Sequence, residues 1–263
     1  MGIADTNIAA LRTGHDRLAA LVSNLGDEDL ARPSGASEWD ISQVLSHLGS
    51  GAEITRATVQ AALDGRPNPG RDFNRTVWDR WNAMSRRERA DGFRHVNTAL
   101  TELYESLDAD TRENLRIDMG FLPAPVDVAT AARLRLSELT LHSWDVRVTF
   151  DENATLAPEA SGPLMQGNGD LLGWIAKADK LEGRHGVIQV RTTAPDEVFA
   201  LRLGEQISVD DELPEDFDGT LALPAEAWLR LVAGRLSPRH TPAEVEATGL
   251  ADLDLLRKVF PGY

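Results

Sequence analysis

The chain has 263 residues, 42% of them hydrophobic and 26% charged, which suits one large or two small globular domains with real cores. A net charge of −15 argues against nucleic acid and against anionic membranes, which are both engaged by clustered Lys and Arg. There is no cysteine, so disulfides and a thiolate from the chain itself are excluded, and any metal has to be held by nitrogen and oxygen.

Residues 3–25 repeat Ile8, Leu11, Leu18, Val22 and Leu25 at three- and four-residue spacing, which predicts a first helix. This opening is amphipathic rather than a signal-peptide core. No apolar run in the chain approaches the roughly eighteen residues that span a bilayer, so a cytoplasmic protein is expected. A loop follows over 26–39. Asp40 then offers an N-cap with Gln43 at the third helical position, a capping box that opens a second helix running to about Leu63 through Ile41, Val44, Leu45 and Leu48. "DGRPNPGRD" (64–72) breaks it. A third helix is predicted over about 85–107, with Phe93, Val96, Leu100, Leu103 and Leu107 on one face, and a fourth from about Val126 to Phe150 after an irregular stretch.

The second half changes character. One helix is expected within 156–181. "GVIQVRTTA" (186–194), "EVFALRLGEQISV" (197–209) and "GTLALP" (219–224) alternate and read as strands, followed by a helix from Ala225 to about Ala233. The expected fold class is therefore α+β. An up-down four-helix bundle over 1–153 is followed by a smaller α/β domain over 154–263.

The chemistry concentrates in "LSELTLHSWDVR" (136–147). On a helix Glu138 and His142, four apart, are neighbours on one face, and Asp145 follows three residues later. His47 lies beside the apolar face of the second helix, looking into the bundle. Carboxylates and histidines on facing helices are how bundle cores hold metals. Against this, a lone His on an apolar face is ordinarily a core or boundary histidine, and a Glu and a His one turn apart are as often a surface pair. Spacing alone leaves the two readings level.

Together, "WDISQVLSHLG" (39–49) and the helix carrying Glu138, His142 and Asp145 resemble the mycothiol-dependent maleylpyruvate isomerase family, among the DinB-like four-helix metalloproteins. The matching positions are Trp39, His47, Glu138, His142 and Asp145, with "WLRLVAGRL" and its Arg235 as a weaker C-terminal match. The resemblance spans essentially the whole chain. It implies a divalent metal, most often zinc, on His47, Glu138 and His142, with the sulfur of mycothiol in the open fourth position as thiolate. A cysteine-free protein would thus borrow its thiol. The implied partners are a low-molecular-weight thiol and a small-molecule electrophile. Asp145 is either a carboxylate that orients a ligand or half of an interhelical ion pair. Trp39, before the N-cap, packs as a staple. Arg235 either reaches a cleft between the domains to hold an anionic group or serves a helix C-terminus.

In the segment 71–85, Asn74 aligns with a family asparagine, and Phe73 stands where isomerases of a dicarboxylate place an arginine. Phe73, Trp78 and Trp81 would give an apolar rim instead, or else simply pack this connection onto the bundle, and the nearby Arg71 and Arg75 could stand in for the arginine. The expectation is a metal-dependent mycothiol S-transferase. The alternatives are a mycothiol-dependent cis-trans isomerase of maleylpyruvate-like substrates and a non-catalytic metal- or ligand-binding protein.

Overall fold

The structure is a computed structural model that describes residues 2–167, 169 and 172–262. The chain divides into two compact units, Met1–Ala154 and Thr155–Tyr263. The fold is α+β: helices in the first unit, a mixed sheet with helices in the second.

The first unit is built on four long helices, α1 (Ile3–Val22), α3 (Ile41–Leu63), α5 (Arg86–Ser106) and α7 (Val128–Arg147). Between them lie α2 (Asp27–Leu30), α4 (Gly70–Ala83) and α6 (Ala109–Asn114). Helix α3 packs on α5 and α7, and α1 packs on the other sides of α5 and α7, closing a bundle. Each long helix starts where its cap dictates. Asp40 Oδ1 accepts from the Gln43 amide at 2.8 Å while Gln43 Oε1 accepts from the Asp40 amide at 2.9 Å, so the predicted box forms. Ser85 and Glu88 form the same box for α5, and Asp127 caps α7 by accepting from the Thr130 amide. The core holds Leu11, Leu18, Val44, Leu45, Leu48, Phe93, Leu100, Leu136 and Leu139, all essentially buried.

Two features differ from expectation. The inward face of α5 is rotated: Asn97, Thr101 and Tyr104 are buried, while Val96 and Leu103 sit on the flanks. The segment 71–85, for which no element is predicted from the sequence, is largely a helix, α4, which begins at Gly70 inside the 64–72 breaker. Its apolar positions are a stripe one residue wide (Phe73, Val77, Trp81), and only Val77 and Trp81 are buried. Trp81 is its anchor. The indole Nε1 donates to Glu53 of α3 at 3.0 Å, Arg80 pairs with the same carboxylate, and the ring lies on bare backbone at Gly49. A β-carbon at Gly49 would sit 2.1 Å from the ring, so only glycine admits this packing.

The second unit contains α8 (Pro158–Met165), α9 (Leu172–Ile175), β1 (Gly186–Thr193), β2 (Glu197–Leu203), β3 (Ser208–Asp210), β4 (Gly219–Pro224), α10 (Ala225–Val232), β5 (Glu246–Gly249) and α11 (Leu253–Val259). The single helix expected within 156–181 is thus two short ones, and residues 168, 170 and 171 between them lie outside the described residues. The strand expected over 197–209 is also two, β2 and β3, separated by a turn after Gly204. The strand order is β3-β2-β1-β4-β5, with β1 and β4 parallel and every other pair antiparallel. Ile188, Val190, Phe199, Leu201, Leu221 and Leu223 form one face of the sheet and share a core with Trp228 of α10 and with Leu255, Leu256 and Phe260 of α11 and its end. Among the described residues, no helix is long and apolar enough to cross a membrane.

Candidate metal centre

Two helices build the centre. The Asp40 cap fixes the start of α3, and His47 follows two turns later, half-buried between the buried Ser46 and Leu48. On α7, Glu138 and His142 stand one turn apart, with Asp145 on the next turn. The bundle packs α3 against α7, and the three side chains converge. His47 Nε2 lies 2.7 Å from Glu138 Oε2, and His142 Nε2 lies 3.8 Å from that same oxygen. One ligand atom from each residue falls within 4.8 Å of the other two. Two ligands about 2.05 Å from a tetrahedral zinc ion are about 3.3 Å apart. The two observed separations bracket that value, and the third is no more than 4.8 Å. The donors are two imidazoles and one carboxylate, a set suited to a divalent metal with an open position.

The protonation states follow from the partners. Asp145 is fully buried and its Oδ2 lies 2.8 Å from His142 Nδ1. A carboxylate only accepts, so in the neutral ring the proton is on Nδ1 and the lone pair of Nε2 faces His47 and Glu138. This is the carboxylate–histidine arrangement that orients and strengthens metal-binding imidazoles. Burial alone would push the Glu138 carboxyl up. The hydrogen bond from His47, the two imidazoles and the Arg135 guanidinium outweigh it and hold the carboxyl down at about 2. Glu138 is therefore anionic and ready to ligate at any physiological pH. Its present partner is the N–H at His47 Nε2, and that hydrogen has to vacate Nε2, by tautomer exchange in the neutral ring, before this nitrogen can ligate a cation.

Trp39 forms a wall of this centre. Its ring centroid is 5.3 Å from that of His47 and 6.0 Å from that of His142, nearly parallel to the latter. The loop that presents it is closed by a bridge between Pro33 and Asp40 and by hydrogen bonds from Ser34 to the Trp39 carbonyl. Glu38 takes a left-handed φ of 72° to turn the chain into Trp39. The Gly35 amide donates to the Asp145 carbonyl at 2.7 Å. A side chain on Gly35 would meet Val148, Trp144 and the α7 backbone at 2.8–3.1 Å, so glycine lets the loop lie against α7. Asp145 thus serves the centre twice, through its carboxylate on His142 and its carbonyl on the loop that carries Trp39.

The sequence profile of the mycothiol maleylpyruvate isomerase N-terminal domain matches residues 11–147, which contain all of these side chains. The chain belongs to the mycothiol maleylpyruvate isomerase family. As a member of that family the protein is an enzyme. The profile of the SCP-2 sterol transfer family matches residues 173–242, within the second unit. Two solved structures share the fold: the mycothiol-dependent maleylpyruvate isomerase and a histidine-to-alanine mutant of it. Each is 12% identical, with a TM-score of 0.62, over 94% of this chain and 93% of the other. None of the curated proteins matches the chain.

The other residues singled out from the sequence are carried by other elements. Asn74 and Trp78 are on α4, Asn74 half-buried and Trp78 49% exposed. Arg235 follows the end of α10 in the second unit, largely buried, and its Nη1 donates to the Ala233 carbonyl at 2.9 Å. His15 is buried in α1 with Nε2 on Thr98 Oγ1 at 2.9 Å. Sequence reasoning missed Arg135, a buried guanidinium one turn before Glu138. An arginine in a helical pattern reads as surface, and only its i−3 spacing from Glu138 marked it.

Proposed function

We propose that His47, Glu138 and His142 hold a divalent cation, zinc by the chemistry of the donor set, and that the protein uses mycothiol to isomerise a cis-enoate of the maleylpyruvate type. The observation that carries this is the convergence of His47 Nε2, Glu138 Oε2 and His142 Nε2 within 4.8 Å in a chain with no thiol of its own. Family membership supports it.

When bound, the cation supplies a Lewis-acidic position that lowers the pKa of a thiol, so that the cofactor's sulfur is a thiolate at neutral pH. The chain's residues do the rest. Glu138 provides the one anionic ligand, leaving net positive charge to attract a thiolate. Asp145 locks the His142 tautomer. Trp39 shields the imidazoles on one side and so restricts the approach of thiol and substrate to the other. In isomerisation the thiolate adds to one carbon of the cis double bond, the bond between the two carbons becomes single and rotates, and expulsion of the same thiolate restores the double bond as trans. Atoms and electrons balance, and the thiol is recovered.

A second reading, S-transfer to an electrophile to give a thioether, is favoured by α4. That helix carries Phe73 at the position where isomerases of a dicarboxylate place an arginine, and its Trp78 is exposed; the exposed Arg71 and Arg75 could supply the missing cation and count against this reading. The zinc-loaded protein should be incubated with mycothiol and either maleylpyruvate or a chloronitrobenzene. Conversion of the first to its trans isomer supports isomerisation, and a conjugate of the second without it establishes transfer. Stoichiometric metal with neither product would leave a binding protein.

A further inference from the structure

Arg135 carries a full positive charge into the bundle core at 5% exposure. Its Nη2 donates to the Leu48 carbonyl at 2.7 Å and to Asn97 Oδ1 at 2.7 Å. Asn97 is itself aimed by donating to the Phe93 and Leu48 carbonyls, so its oxygen faces the guanidinium. Gly51 leaves the space, since a β-carbon there would lie 3.0 Å from Nη1. Three helices, α3, α5 and α7, therefore meet at one polar node.

Stability does not explain a charge at this place. A buried guanidinium loses its hydration, Nε has no hydrogen-bond partner, and the nearby Tyr104 hydroxyl has none either. Apolar groups of similar volume commonly pack such a position as well or better. The location does explain it. Leu48 is the residue after His47, and Arg135 is one turn before Glu138. The guanidinium thus ties the α3 turn that carries one candidate ligand to the α7 turn that carries another, and the carboxylate that favours its charge is Glu138.

We propose that Arg135 is a positioning residue of the metal centre: by clamping the Leu48 carbonyl and Asn97 it sets the separation of His47 from Glu138. This rests on the assignment of His47, Glu138 and His142 as ligands.

The test is Co(II) binding to the full-length, metal-stripped protein, read by chelator competition and by the visible d–d spectrum. Arg135→Met should weaken Co(II) roughly 10- to 100-fold, the range for outer partners of metal ligands, and shift the bands. Both hydrogen bonds leave one nitrogen, so an ammonium can make them, and Arg135→Lys should recover most of the affinity and the wild-type spectrum. Wild-type affinity and spectrum in Arg135→Met, or no recovery in Arg135→Lys, overturns the proposal. If Arg135→Met does not fold, Gly51→Ala, which crowds Nη1, must shift the spectrum, and an unchanged spectrum overturns the proposal. Wild-type protein that takes up no Co(II) removes the metal assignment as well, whereas uptake indifferent to Arg135 removes only the role of Arg135.

Discussion

His15 should make the protein lose stability steeply below neutral pH. Thr98 Oγ1 donates to the Arg94 carbonyl, so it can only accept from His15, which puts the proton on Nε2. Nδ1 is then a buried lone pair with no hydrogen-bond partner, and protonating it would bury an unmatched N–H. Burial is the main cause that pulls this imidazole down from 6.5 to about 4; Arg12, Arg135 and Arg94 add to it and Asp16 opposes. The sign follows from linkage. Between those two values the unfolded chain binds a proton that the folded chain does not, so unfolding is favoured as pH falls. Stability is whole above about 6.5, declines by about 1.36 kcal/mol per pH unit below it, and levels off below about 4. The loss from this residue is about 2 kcal/mol at pH 5 and approaches about 3.4 kcal/mol at lower pH. Urea unfolding of the wild type and of His15→Gln, at pH 7.5 and at pH 5, isolates it. The variant has no titrating group here and should lose about 2 kcal/mol less between the two conditions. Equal losses in both proteins would refute the reasoning.

Removing the metal should lower stability by RT ln(1 + [M]/Kd), about 4 kcal/mol where the ion is present at a thousand times its Kd, seen as a fall in Tm on adding a chelator. His47→Ala should abolish that chelator effect. Asp145→Asn keeps the shape but removes the charge on His142 Nδ1, and metal affinity should drop about tenfold or more by competition titration while the far-ultraviolet circular dichroism stays unchanged. Gly49→Ala places a methyl against the Trp81 ring and should cost about 1–3 kcal/mol in denaturant unfolding, with Trp81 displaced and α4 loosened.

What was legible in the sequence follows the strength of the local signals. The Asp40 capping box, the strands at Gly186 and Gly219 and the inward His47 each rest on interactions within a few residues, and the structure has them where the pattern put them. Helix α4 was hidden because its packing depends on a tryptophan meeting a distant glycine, Gly49, which no local pattern encodes. The face of α5 was misjudged because Asn97 and Thr101 point inward: Thr101 donates to the Asn97 carbonyl of its own helix, and the Asn97 side chain is satisfied by a polar node that exists only once α3 and α7 are in place. Trp39 was read as a staple. Its ring does pack, but against two imidazoles that are distant in sequence, His47 of α3 and His142 of α7, a pairing visible only once those helices are packed together.

That indole gives the protein an optical reporter of its own. An excited tryptophan touching imidazoles is quenched by their protonation and by any paramagnetic ion they hold, so Trp39 emission tracks the occupancy of the pair beside it. The chain has six tryptophans, and Trp39→Phe identifies which part of the signal belongs to this one. Binding of thiol, metal and substrate can then be timed in a stopped-flow instrument without attaching a dye.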